Sequence, residues 1–80
     1  MMPAAPRRPL NPLLLRRVER SGKPKSRIAF AAGFPHYVTF YLVLREEKVV
    51  ATPRLTTRLQ LVADAVGFPR DEIFLDEAGR

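Results

Sequence analysis

Punctuation confines this chain more than any other feature. Asn11-Pro12 and Thr52-Pro53 each set a side-chain oxygen before a proline. That pattern caps the free N–H groups of a helix's first turn and fills its first position with a residue that has no N–H to lose. Gly22, Gly33 and Gly67 stand where helical patterns run out, and glycine closes a helix in the left-handed conformation at little steric cost. The marks leave room only for short elements, and a chain of 80 residues builds one modest core and no second domain.

Within these limits the spacing of apolar residues predicts a helix over about 12–21, carrying Leu14, Leu15 and Val18, and a short one over about 24–32, carrying Ile28, Ala29 and Ala32. Residues 36–45 are ambiguous, because an unbroken run of Tyr, Val, Thr and Phe favours a strand by propensity. A hairpin using 37–44 and 49–52 competes there with a helix. Leu55, Leu59, Val62, Ala63 and Val66 predict a helix ending at Gly67. Phe68-Pro69 opens a further turn or two in which Ile73 and Phe74 return to the core. Ala32-Gly33-Phe34-Pro35 is echoed by Val66-Gly67-Phe68-Pro69, two similar helix ends. Residues 1–10 are expected to be a flexible basic arm, 11–76 the folded domain, and 77–80 a frayed end.

Charge divides the chain. Residues 1–45 hold nine Lys or Arg against Glu19 alone, whereas 46–80 hold five against seven acids, for a net +6. The first half suits a polyanion, since Lys and Arg that neutralise phosphates release condensed counterions, and suits a solvated surface as well. Without cysteine there is neither a disulfide nor a thiolate metal site, and His36 is the only histidine, so no metal and no cofactor are expected. No Gly-rich phosphate loop and no nucleophile with a matching base is present, and Asp71, Glu72, Asp76 and Glu77 read as a solvated face, so no enzyme is expected. The apolar run 37–44 is far shorter than the ~20 residues that cross a bilayer, and no stretch of signal-peptide length opens the chain. The expectation is a cytoplasmic protein with no membrane contact.

Two segments together resemble the Cro/CI-type helix-turn-helix family, also called XRE or lambda-repressor-like, over roughly residues 12–76. Ile28-Ala29-Phe30-Ala31-Ala32-Gly33-Phe34 resembles its pattern of an aliphatic residue, Ala, three variable residues, Gly and another aliphatic residue at the turn, with Phe34 in that last place. The run from Thr52-Pro53-Arg54-Leu55 to Ile73-Phe74-Leu75 is similar to its fourth and fifth helices. The resemblance implies an all-α fold, a compact bundle of about five short helices, with the segment after Gly33 as recognition helix. The sequence departs from the pattern in the turn. Counting forward from Gly33 sets the buried anchor of that helix at Thr39, and counting back from Leu44-Arg45 sets it at Phe40. Pro35 and Glu46 also stand where the family often has a capping Ser or Thr and a Gly.

By the same resemblance His36, Tyr37, Val38 and Thr39 face base edges in the major groove. Lys25 and Arg27 contact phosphate, with Arg7, Arg8, Lys48 and Arg54 as further phosphate contacts. Ile73, Phe74 and Leu75 supply a dimer interface, so the expected partners are double-stranded DNA and a second copy on a palindromic site. The function implied is transcriptional regulation, most simply by a small repressor. The rival reading is a protein-interaction module gripping a polymerase subunit or a toxin through 37–52, because that segment is apolar for a helix that reads bases.

Overall fold

A computed structural model describes residues 6–78. The chain is mostly helical with a small antiparallel sheet. In order it forms β1 (Arg7–Pro9), α1 (Pro12–Arg20), α2 (Lys25–Ala31), α3 (Tyr37–Arg45), β2 (Lys48–Val50), α4 (Pro53–Val66), a 3-10 turn (Arg70–Glu72) and a last helical turn, α5 (Leu75–Ala78).

The sequence punctuation acts as chemistry predicts. The Asn11 side chain accepts from the Leu13 N–H at 3.0 Å and donates to the Glu72 carbonyl at 2.9 Å, so this buried amide is satisfied while it pins α1 to the far end of the chain. Thr52 accepts from the Leu55 N–H at 3.1 Å and caps α4 in the same way. The two echoed helix ends are built alike. Gly33 and Gly67 adopt φ of 86° and 73°, and the N–H groups of Phe34 and Phe68 reach back to the carbonyls of Ala29 (2.9 Å) and Ala63 (2.8 Å). Both phenylalanines are thereby turned into the core. At the C-terminal end of α4, Lys23 Nζ donates to the Ala65 carbonyl at 2.6 Å and Arg17 Nη1 to the Gly67 carbonyl at 3.2 Å. Two cations thus satisfy carbonyls that the helix leaves open, at the negative end of its dipole.

Four helices converge on one core. Leu14 and Val18 of α1, Ile28 and Ala29 of α2, Phe40 and Leu44 of α3, and Leu59, Val62 and Ala63 of α4 are all buried there. Small Ala29 is fully buried on the inner face of α2, which packs against both α3 and α4.

Three expectations are corrected. Residues 37–45 are helical, so there is no 37–52 hairpin. As a strand, this run would present apolar side chains on both faces, and a core this small can cover only one; as a helix it buries Phe40 and Leu44 four residues apart. Second, the arm expected over 1–10 is part of the fold from residue 7 onward; residues 1–5 lie outside the described residues. β1 pairs with β2 in the register Arg7↔Val50, Arg8↔Val49, Pro9↔Lys48, and Leu10 and Val49 are buried beneath. The fold is therefore not purely helical. Third, Ile73 and Phe74 cannot form a dimer interface, because they are only 1% and 3% exposed within the single chain; of the three residues assigned to that role only Leu75, at 44%, is at the surface.

Candidate nucleic-acid interface

The segment of interest is α2, a turn over 32–36, and α3. Pro24 sets α2 going with an extended backbone (φ −58°, ψ 128°), and Gly33 reverses the chain. Phe34 then plugs the core and His36, extended at φ −137° and ψ 139°, starts α3 with no side-chain cap. Phe34 meets Phe40 edge to face, ring centroids 5.4 Å apart at 72°. That contact decides which residue anchors α3: of the two candidates Phe40 is buried and Thr39 exposed.

With Phe40 and Leu44 inward, the outward face of α3 follows from helical geometry. It carries Val38, Thr39, Leu42 and Arg45. Val38 and Leu42 are 63% and 56% exposed. Of the four residues expected to face base edges, Val38 and Thr39 do point outward, and His36 is exposed at the leading end. Tyr37 is turned partly back, its ring 6.5 Å from Phe40 and 6.1 Å from Tyr41. Leu42 and Arg45 belong to the same face and were missed. Once a helix is granted, their spacing of four and seven residues from Val38 identifies them.

Cations frame this face. Lys25, at the start of α2, lies over the Tyr41 ring at 5.1 Å, and Arg45, at the end of α3, lies over the same ring at 5.6 Å. One aromatic side chain thus holds two positive groups from different helices. Arg58 of α4 stacks on Phe34 at 5.5 Å and reaches the turn, close to Gly33. Sequence reasoning did not find Arg58, since only the fold brings α4 against the turn. Arg27 is exposed on α2 and lines a hollow of about 360 Å³ with Lys23, Pro24 and Ala65. Over residues 20–45 the chain contains no Asp or Glu, and among the described residues Lys25, Arg27, Arg45 and Arg58 form no ion pair.

The remaining phosphate candidates divide. Arg7 and Lys48 lie on the exposed face of the small sheet, and Arg54 is exposed in the first turn of α4. Arg8 has a structural occupation: it forms a forked pair with Asp76, at 3.0 Å from Nε and 2.9 Å from Nη2, and covers the Phe74 ring at 4.1 Å. Arg70 is likewise engaged, with Asp64, and its guanidinium holds that carboxyl below the usual aspartate range by hydrogen bonding first and charge second.

Among the described residues no group of three His, Cys, Asp or Glu is placed to hold a metal ion, and no described helix is long and apolar enough to cross a membrane. No family model, curated protein or solved structure matches the chain.

Proposed function

We propose that the chain binds double-stranded DNA through the outward face of α3 and acts as a small transcriptional regulator of Cro/CI type rather than as an enzyme. One observation carries the reading: a helix anchored by Phe40 and Leu44 offers Val38, Thr39, Leu42 and Arg45 to solvent, framed by Arg58 of α4 and by Lys25 and Arg27, which belong with α3 to a stretch, 20–45, without a single acid. The cations position the backbone and α3 reads the groove. Val38 and Leu42 offer methyl groups to thymine methyls, Thr39 a hydroxyl to base edges, and Arg45 a fork that matches guanine.

The test is selection from a random-sequence duplex pool at near-physiological salt. Enrichment of a short site rich in thymine supports the proposal, and a palindromic site adds a second copy; binding without enrichment, or none, overturns it. A second reading rests on the exposure of Val38 and Leu42, 63% and 56%, which equally suits a protein partner. It predicts that Leu42→Asp abolishes capture of that partner while no duplex is retained by the parent chain.

A further inference from the structure

A different surface of the molecule carries a cavity flanked by arginines. Arg16, Arg17 and Arg20 lie on one flank of α1 and, with Leu13, Phe68, Pro69 and Glu72, line a cavity of about 280 Å³ between α1 and the segment that follows α4. No residue of α2 or α3 contributes to it, whereas the opposite flank of α1, with Pro12 and Leu15, shares a hollow with Leu44 and Arg45.

The arginines here differ from the others. Arg8 and Arg70 hold carboxylates in forked pairs. Arg16 and Arg20, like charges four residues apart and so neighbours on the helix, pair with no carboxylate among the described residues, neither Glu19 nor Glu72. Arg17 gives one N–H to the Gly67 carbonyl and keeps the rest of its fork. Like charges set side by side weaken a helix; Arg20 lies in the last turn of α1, where the helix dipole favours a cation, and Arg16 lacks that placement.

We propose that this groove binds an acidic peptide segment of a partner protein. One carboxylate is held by the forks of Arg16 and Arg20, and an adjoining apolar side chain lies against Leu13, Phe68 and Pro69. Charge complementarity fixes the sign of the ligand, and the mixed walls fix its kind. A peptide brings apolar side chains for Leu13 and Phe68 and backbone N–H groups for Glu72 together with its carboxylates, and a duplex control tests the competing phosphate ligand. The proposal is independent of the DNA reading, because the two surfaces share no residue.

The experiment is a ¹⁵N NMR titration of the full chain with an acetylated, amidated pentapeptide of alternating aspartate and leucine. Its counterpart with lysine for aspartate, and a twelve-base-pair duplex, serve as controls. Saturable shifts at Leu13, Phe68 and the Arg16 and Arg20 side chains with the acidic peptide alone are expected. The double variant R16S/R20S should weaken Kd by about tenfold or more, and L13S should weaken it as well; Arg17 is left intact because it caps α4. If the double variant melts early, R16K/R20K keeps the charge and loses the fork, and weaker binding in a folded chain supports the proposal. Absence of shifts with the acidic peptide overturns it, and so do shifts at Arg16 and Arg20 produced by the duplex instead, which assign the flank to phosphate. Failure of the DNA reading shows separately, as silence of the α3 amides toward the duplex.

Discussion

Single side chains decide more here than their number suggests. Phe40 is both the anchor of α3 and the partner of Phe34 across the turn, and truncating it empties the centre of the core. Phe40→Ala should cost about 3–5 kcal/mol in urea denaturation, while Thr39→Ala, one residue away and exposed, should stay within about 0.5 kcal/mol. Equal effects at the two positions would refute the assigned register. Asp64 offers a test of sign. Its carboxyl is held below the ordinary aspartate value, first by the Arg70 hydrogen bond. The pair's contribution is therefore full above that ordinary value and is lost as the pH falls through the lowered one. The melting temperatures of the parent chain and Asp64→Asn should differ slightly at neutral pH, since the pair is solvent-exposed, and converge at the acid end; a gap that widens in acid would contradict the pairing.

At the level of elements, the turn between α2 and α3 is set by backbone more than by contact. A Cβ at Gly33 meets nothing closer than Arg58 Nε at 3.9 Å, which is ordinary contact, but the residue sits at φ 86°. Gly33→Ala should therefore destabilise by about 1–2 kcal/mol through conformation alone, measurable as a shift of the urea midpoint at unchanged slope. Elements of this kind are legible in a sequence because their signals are local. Thr52-Pro53, the 3.6-residue period and Gly67 mark out α4 within the helix itself, and the Phe after Gly33 and Gly67 gives the helix ends. The nature of α3 is not local. Tyr37 to Leu44 is apolar at both strand and helix spacing, and only the size of the core, which accepts Phe40 and Leu44 and leaves Val38 and Leu42 outside, selects the helix. The same choice fixes which residues can face a groove, so the uncertainty of one residue in the turn passed directly into the candidate site. β1 was illegible for a further reason. Three residues, one of them proline, carry no usable period, and their partner lies some forty positions along the chain.

At the scale of the molecule, that pairing changes what the N-terminal arginines are for. The sequence presents Arg7 and Arg8 as a free basic arm, whose removal would reduce affinity for a polyanion and leave the fold alone. In the structure β1 closes the domain: Leu10 donates to the Glu47 carbonyl at 3.0 Å, Ala51 to the Pro6 carbonyl at 2.9 Å, Val49 is buried under the strand, and Arg8 joins it to Asp76 over the Phe74 ring. A two-stranded sheet is marginal by itself, so its stability comes from covering Val49 and Phe74, and those residues in turn depend on it. Deleting residues 1–9 should therefore lower the melting temperature of the whole domain. Each kcal/mol lost should appear as a shift of about 4–8 °C for a chain of this size. Arg8→Ala alone should reproduce part of that loss and leave the salt dependence of DNA binding unchanged, whereas Lys25→Ala and Arg27→Ala should each reduce the slope of log K against log salt by about one without altering the melt. Thermal melts and salt titrations of these four variants separate closure from contact. A truncated chain that melts like the parent and has lost only its salt slope would return Arg8 to the role of an arm.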